Sequence, residues 1–258
     1  MARLYVIDAG SLCAWQYFAH ETEEDGMLVG VQHWLTRFRQ HTEASHMVVC
    51  YDAGHDRRTA IDPEYKLARK TKPKPEAFIE QLRQAPDAIS NTGVPGIRIG
   101  GEEADDVIAS VVAAHSLGDT EIIVVSSDKD LSALVTDGVQ RYDPKTEKFY
   151  DEAGVVEHMG VPPWRVCDLL AMAGDATDGI HGIKGIGEVR AKAAIRQTKS
   201  MTELFRKAET RTLADLSEKT QATIADGRQQ YEAALKLTTL YRSLTVPVEL
   251  DAFALANG

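Results

Sequence analysis

Short apolar runs recur through the first half of the chain, and three of them stop at an acid. Leu4–Ile7 (LYVI) runs into Asp8-Ala9-Gly10-Ser11, and Met47–Tyr51 (MVVCY) into Asp52-Ala53-Gly54. Glu121–Val125 (EIIVV) runs into Ser126-Ser127-Asp128-Lys129-Asp130. Runs of this length, rich in β-branched residues and closed by turn formers, predict buried strands with the carboxylates at their C-terminal ends. Val139–Tyr142 and Lys148–Tyr150 predict a late strand and hairpin, and Gly93–Ile99 a return to the sheet. Between the strands the spacing turns helical. Val31, Trp34, Leu35 and Phe38 share one helix face, with Trp34 expected in the core, and Ala77–Leu82 and Val107–His115 predict further helices. Strands alternating with helices give an α/β fold, and in open α/β sheets ligands bind at the carboxyl ends of the strands.

From Val161 the pattern is helical throughout. Pro162-Pro163 should open a helix through Met172 with Trp164 and Leu169 in the core, and amphipathic helices are expected near Thr202–Lys207 and Thr220–Tyr241. Between them lies Gly182-Ile183-Lys184-Gly185-Ile186-Gly187, followed by a helix over Glu188–Arg196. Such a glycine turn leading into a helix N-terminus can grip a phosphate through backbone N–H groups, with Lys184, Arg190 and Lys192 nearby.

The acids are the chemical signal. GGEEADDVIA at Gly100–Ala109 puts Glu102, Glu103, Asp105 and Asp106 into five residues at the start of a buried helix. One or two acids there would simply complement the helix dipole. Four are more than a cap requires, since two like charges about 4 Å apart repel by roughly 4 kcal/mol at an effective dielectric of 20. A divalent cation would remove that repulsion. Asp8, Asp52, Glu103, Asp105, Asp106, Asp128 and Asp130 lie at strand ends or on the adjoining helix start, and Asp175 and Asp178 are spaced to share one face of a helical turn. Oxygen ligands without His or Cys suit Mg²⁺ or Mn²⁺ rather than zinc. Nine carboxylates exceed one magnesium's demand and point to two ions, which together can clamp a phosphodiester and activate water. Taken singly, Asp8 or Asp128 would more often be a helix cap.

The chain of 258 residues, 43% hydrophobic and 26% charged, is ordinary for a globular protein. No apolar run is long enough to span a membrane and the N-terminus enters a strand at once, so a cytoplasmic protein without signal peptide is expected. Cys13, Cys50 and Cys167 have no zinc spacing and read as free thiols. A net charge of −10 argues against a nucleic-acid partner only if the bases are dispersed, and they are not. Arg57, Arg58, Lys66, Arg69, Lys70, Lys72 and Lys74 crowd one segment that Pro73 and Pro75 close, where Pro63 can open a helix carrying Tyr65, Lys66 and Arg69 within about one turn. An aromatic between bases suits phosphate contacts with base stacking, although a solvated basic helix has the same composition.

VIDAG, YDAG, EYKLAR, GEEADDVI, SSDKDL and AGDATDGIHGIKGIG, in that order, resemble the motifs of the 5′–3′ exonuclease/flap endonuclease family. The family includes the 5′-nuclease domain of bacterial DNA polymerase I and stand-alone phage and bacterial enzymes. The resemblance implies a PIN-like nuclease core with a central, mostly parallel sheet over residues 1–160. It implies a short helical arch near 55–85 and a helix-hairpin-helix-type DNA-binding region over 161–258. By matched position Asp8, Asp52, Glu103, Asp105 and Asp106 would serve a first metal site, Asp128 and Asp130 would lie between sites, and Asp175 and Asp178 would hold the second. Lys66 and Arg69 would bind the scissile phosphate, with Tyr65 stacking on an unpaired base and Arg58 assisting. Gly182, Lys184, Gly185, Gly187, Arg190 and Lys192 would grip duplex DNA, often with a K⁺ ion on the hairpin carbonyls. Val189 and His181 depart from the family pattern, where a basic residue and a proline are common. The expected protein is a stand-alone, monomeric 5′-nuclease that leaves 5′-phosphate and reads no sequence. A non-catalytic binder of branched nucleic acid and a PIN-type ribonuclease are the alternatives.

Overall fold

A computed structural model describes residues 2–21, 23–67, 69, 74–116 and 118–255. Six strands form one sheet: β1 Ala2–Asp8, β2 His46–Tyr51, β3 Gly96–Arg98, β4 Thr120–Val125, β5 Val139–Asp143 and β6 Lys148–Tyr150, in the order β3-β2-β1-β4-β5-β6. All neighbours are parallel except β5 and β6, which form a hairpin. The first helices are α1 (Ala9–Ala19), α2 (Gly26–Thr42), α3 (Asp56–Ile61), α4 (Glu76–Ser90), α5 (Ala104–His115) and α6 (Glu152–Met159). They are followed by α7 (Val166–Ala173), α8 (Glu188–Ile195), α9 (Met201–Glu209), α10 (Glu218–Asp226) and α11 (Arg228–Thr238). Among the described residues no helix is long and apolar enough to cross a membrane.

The residues cluster into two compact units that are not continuous in sequence. One comprises Met1–His55, Lys74–Glu152 and Leu240–Gly258, the other Asp56–Pro73 and Ala153–Thr239.

The first unit contains the sheet. Central β1 is withdrawn from water from Leu4 to Ile7, which explains its unbroken apolar run. On one side Met27, Val31 and Leu35 of α2, one turn apart, join Phe78, Ala85 and Ile89 of α4 and Leu12 of α1 in a common core. Each of these fully buried side chains larger than Ala85 contributes about 1.5–3 kcal/mol. Helix α5 packs against β1, β2 and β4 and is buried along almost its whole length, as its VIASVVAA run requires. Trp34 is half-buried at the edge of the core, stacked on Phe38 with ring centroids 4.5 Å apart. Helix α4 continues past the expected Leu82 to Ser90, carrying Pro86 within it.

The second unit is helical. Its start differs from expectation. Pro162-Pro163 opens a 3₁₀ turn (Pro163–Arg165) before α7, and that turn buries Pro163 and Arg165 while leaving Trp164 66% exposed. Leu169 is in the core as anticipated. The long helix expected near Thr220–Tyr241 is two, α10 and α11, meeting at Gly227, where a side chain would overlap Ile183 of the glycine turn. No helix opens at Pro63. Residues 63–66 form turns, and Lys66 adopts a left-handed φ of 56° that no helix tolerates.

Candidate metal centre and nucleic-acid interface

Within the first unit the parallel register sets Asp8 level with Cys50 on β2, and Ile7 level with Val125 on β4. Asp8, Asp52 and Asp128 therefore emerge at the same edge of the sheet. Asp8 is buried and caps α1, its Oδ1 accepting the Ser11 N–H at 3.0 Å while its Oδ2 accepts the Ser126 hydroxyl at 2.8 Å. A methyl group added at Gly10 would sit 3.2 Å from Asp52 Oδ2 and 3.4 Å from Asp8 Oδ1, so the two carboxylates flank one point. Burial pushes the Asp8 carboxyl up to about 6, and the nearby charges of Asp52 and Asp128 add to the rise against the Ser11 and Ser126 hydrogen bonds. Asp8 is thus the buried member of an acidic cluster, beside the exposed Asp52 and Asp128.

The four-acid stretch is attached to the same place. Asp52 Oδ1 accepts the Ala104 N–H at 2.9 Å, which anchors the first turn of α5. The Ala53 N–H donates to Glu102 O at 2.9 Å and the Gly101 N–H to Ala53 O at 3.1 Å. This pairing needs Gly54, whose φ is 142° and where a side chain would lie 2.9 Å from Gly101 Cα. Asp105 and Asp106 occupy the first turn as expected, and Glu103 is the residue before it. The two aspartates differ. Asp105 is half-buried, whereas Asp106 has no exposed surface and its Oδ1 accepts the Tyr241 N–H at 2.8 Å. Ser110, one turn on, bonds to Tyr241 O and the Leu244 N–H, so Asp106 belongs to a clasp that fastens the C-terminal segment to α5. Asp128 caps the following 3₁₀ helix (Lys129–Leu134), accepting the Asp130 N–H at 2.9 Å.

Among the described residues no group of three or more His, Cys, Asp or Glu side chains is placed to hold a metal ion. The donor set nevertheless fits a hard divalent ion. All the candidates are carboxylates, and the buried one, Asp8, is pushed upward by burial and then by the charges of Asp52 and Asp128, a strain that a cation would relieve. Magnesium takes one or two carboxylates plus waters and substrate phosphates rather than an all-protein cage.

In the second unit Asp175 and Asp178 lie on a closed turn rather than a helical one. The Asp175 N–H donates to Ile180 O at 2.9 Å and the Ile180 N–H to Asp175 O at 2.8 Å, while Asp175 Oδ1 accepts the Thr177 N–H. The bridge folds the intervening residues, Asp178 among them, into a loop. Asp178 is paired with the bases expected to meet phosphate: Lys66 Nζ lies 3.7 Å from Asp178 Oδ2, and the Arg69 guanidinium bonds Asp178 Oδ1. The Lys66 N–H also donates to Asp178 O at 2.8 Å. Lys70 and Lys72 fall outside the described residues.

Two residues of the basic segment are placed differently from expectation. Tyr65 is buried, its ring already beside Lys66 Nζ at 5.2 Å and the Arg58 guanidinium at 6.0 Å, so it offers no open face for a base. Arg58 is also buried. Its Nε donates to Leu237 O at 2.7 Å and its Nη2 to Thr239 O at 3.4 Å, satisfying carbonyls at the C-terminal end of α11. It serves the fold of the helical unit.

The glycine turn forms as a tight hairpin, with the Ile183 N–H on Met172 O and the Ile186 N–H on Ile183 O, both at 2.9 Å. Gly187 caps α8, and Gly182, Lys184, Gly185 and Gly187 border a groove of about 1050 Å³. Arg190 Nη1 donates to Gly185 O at 2.7 Å, and Lys192 pairs with Glu188. The Lys184 N–H is held by Gln230 Oε1 at 3.1 Å.

Residues 3–160 match the model of the 5′-3′ exonuclease N-terminal resolvase-like domain, and residues 161–257 that of the 5′-3′ exonuclease C-terminal SAM fold. The chain is 28% identical over 256 residues to the flap endonuclease Xni of Shewanella putrefaciens, covering 98% of this chain and 95% of that one. It is 31% identical over 217 residues to DNA polymerase I of Rhizobium leguminosarum, a match spanning 82% of this chain and 20% of the polymerase. The bacteriophage T5 5′-exonuclease with bound divalent metal ions (zinc) is similar with a TM-score of 0.80 and 25% identity, covering 93% of this chain and 90% of that chain. The T5 flap endonuclease in a pseudo-enzyme-product complex with DNA and metal ions gives a TM-score of 0.78 at 25% identity, over 93% of this chain and 89% of that chain. With both of its domain models matched from residue 3 to residue 257, the chain belongs to the 5′–3′ exonuclease family.

Proposed function

We propose that this chain is a structure-selective 5′-nuclease that hydrolyses DNA phosphodiesters at 5′ ends and 5′ flaps with two divalent ions, leaving 5′-phosphate. The observation that carries this reading is the acidic pocket at the sheet edge, where buried Asp8 meets the charges of Asp52 and Asp128. Asp8, Asp52, Glu103, Asp105, Asp128 and Asp130 would hold the first ion or lie between the two, and Asp175 and Asp178 would hold the second. Asp106 keeps its place as the anchor of Tyr241. Ions held there, Mg²⁺ or Mn²⁺ by the hardness of these ligands, would supply an activated water and charge neutralisation at the phosphate.

The chain's own residues do the rest. Asp8, without a salt bridge among the described residues and short of solvent, gains most from a cation beside it. Lys66 and Arg69 neutralise the phosphate being cleaved once substrate draws them from Asp178, and Tyr65 keeps Lys66 in place from below. The hairpin over 182–187 holds duplex DNA by backbone N–H groups and by Lys184, Arg190 and Lys192, reading no base edge. Any K⁺ ion at the hairpin would share the Gly185 carbonyl with Arg190. Functionally, residues 1–160 supply most of the metal ligands, residues 161–258 the duplex grip together with Asp175 and Asp178, and the protein works as a cytoplasmic monomer.

The test sets 5′-flap DNA, blunt duplex DNA and a 5′-flap RNA against the protein in Mg²⁺ and in EDTA. Cleavage of the DNA flap in Mg²⁺, lost in EDTA, is expected. Binding without product in either condition would establish the non-catalytic binder, and preference for the RNA flap the ribonuclease.

A further inference from the structure

Arg141 on β5 is only 1% exposed, and among the described residues it makes no salt bridge with any carboxylate. A guanidinium stays charged at any relevant pH. Burying one without a directly paired anion costs several kcal/mol, a cost that the nearby charges of Asp143 and Asp128 offset only in part. Its Nη1 donates to Ser126 O at 2.9 Å and its Nε to Ser132 Oγ at 3.0 Å, and its guanidinium lies 4.3 Å from the centre of the Tyr150 ring. Ser126 and Ser132 bracket the loop that carries Asp128 and Asp130.

Ser126 is fully buried and every polar atom it has is engaged. Its N–H donates to Tyr142 O at 3.0 Å and its carbonyl takes Arg141. Its hydroxyl donates to Asp8 Oδ2 at 2.8 Å, and the same oxygen accepts the Asp128 N–H at 2.9 Å. One hydroxyl therefore ties a carboxylate on β1 to the backbone that presents a carboxylate after β4, and β5 fixes that hydroxyl through Arg141. We infer that Ser126, braced by Arg141, is the positioning residue that sets Asp8 and Asp128 at the separation a divalent cation requires. The brace rests on the reading of the pocket as a metal centre. It adds a specific cause for the geometry: Arg141 works from the dry side of the sheet edge and Ser126 transmits its hold. Partners of this kind behind metal ligands are worth about 10- to 100-fold in affinity when removed.

Calorimetric titration of Mn²⁺ into the wild-type chain, Ser126→Ala, Arg141→Lys and the double variant tests this, with thermal melts in EDTA alongside. Ser126→Ala should weaken Mn²⁺ binding about tenfold or more while remaining folded. The double variant should fall within about twofold of the weaker single variant, since both changes break one path. Folded single variants with Mn²⁺ affinity within about twofold of wild type would overturn the proposal and leave Arg141 and Ser126 purely structural. Multiplying effects in the double variant would overturn the claim that Arg141 acts through Ser126. If Arg141→Lys loses its melting transition, Ser126→Ala decides alone by the same thresholds. A wild-type chain that binds no Mn²⁺ would instead overturn the metal centre itself, together with the brace that rests on it.

Discussion

Replacing Asp8 by Asn removes a buried charge that sits beside two like charges. Burial, with Asp52 and Asp128 adding to it, lifts the Asp8 carboxyl from 3.8 to about 6. That rise amounts to about 3 kcal/mol of destabilisation once the group is ionised. The sign follows from proton counting. Between about pH 4 and pH 6 the folded chain holds a proton that the unfolded chain has released, so this group's contribution worsens as pH rises through that window and is constant above it. Asn keeps an acceptor for the Ser11 N–H but loses the one for the Ser126 hydroxyl, a cost of about 1 kcal/mol. In EDTA at pH 7.5 the variant should therefore be about 2 kcal/mol more stable than wild type. At pH 4 the advantage should vanish or reverse. Urea denaturation at the two pH values measures it, and the comparison cancels the other titrating groups. Saturating Mn²⁺ should invert the order, since only wild type gains binding energy. A variant equally or less stable than wild type at pH 7.5, or one that keeps its gain at pH 4, would refute the picture of Asp8 as a buried carboxylate under like-charge pressure.

Arg58 and Arg69 should separate cleanly. Arg58→Ala leaves the Leu237 and Thr239 carbonyls without their donor and should lower stability by about 3 kcal/mol or more by denaturant titration, while Arg69→Ala should leave stability within about 1 kcal/mol and slow single-turnover flap cleavage. Gly54→Ala forces a strained backbone against Gly101 and should cost about 1–3 kcal/mol, visible as a lower melting temperature and weaker Mn²⁺ binding because Asp52 shifts. Trp164→Ala, at a 66% exposed position, should change stability by no more than about 0.5 kcal/mol, and a larger loss would mean that the ring is covered in solution.

What could be read from the chain was what is local. β1, β2 and β4 announced themselves because each is a buried apolar run, and each is followed by an acid where the chain turns toward α1, α3 or the 3₁₀ helix. The hairpin was equally legible, since its glycines act within six residues. The errors concern residues whose partners lie far along the chain. Arg58 finds its acceptor 179 residues away and Tyr65 is buried, so a basic, aromatic segment read as a binding surface supplies part of the packing. Trp164 was misplaced for a local reason: a 3₁₀ turn advances fewer residues per revolution than an α-helix and swings the ring outward. Asp106 looked like its neighbours because composition does not reveal that one of its oxygens accepts the Tyr241 N–H, 135 residues away. The Ser126 bond to Asp8 spans 118 residues, and nothing in SSDKDL marks that serine as different from the next.

The most direct measurement is the anomalous diffraction of crystals soaked in Mn²⁺. The account predicts an ion against Asp8, with Asp52 and Asp128 contributing oxygens or bound waters, and loss of that peak in Asp128→Asn. Mn²⁺ found only at surface carboxylates away from Asp8, in crystals of a protein that still cleaves flap DNA, would contradict it.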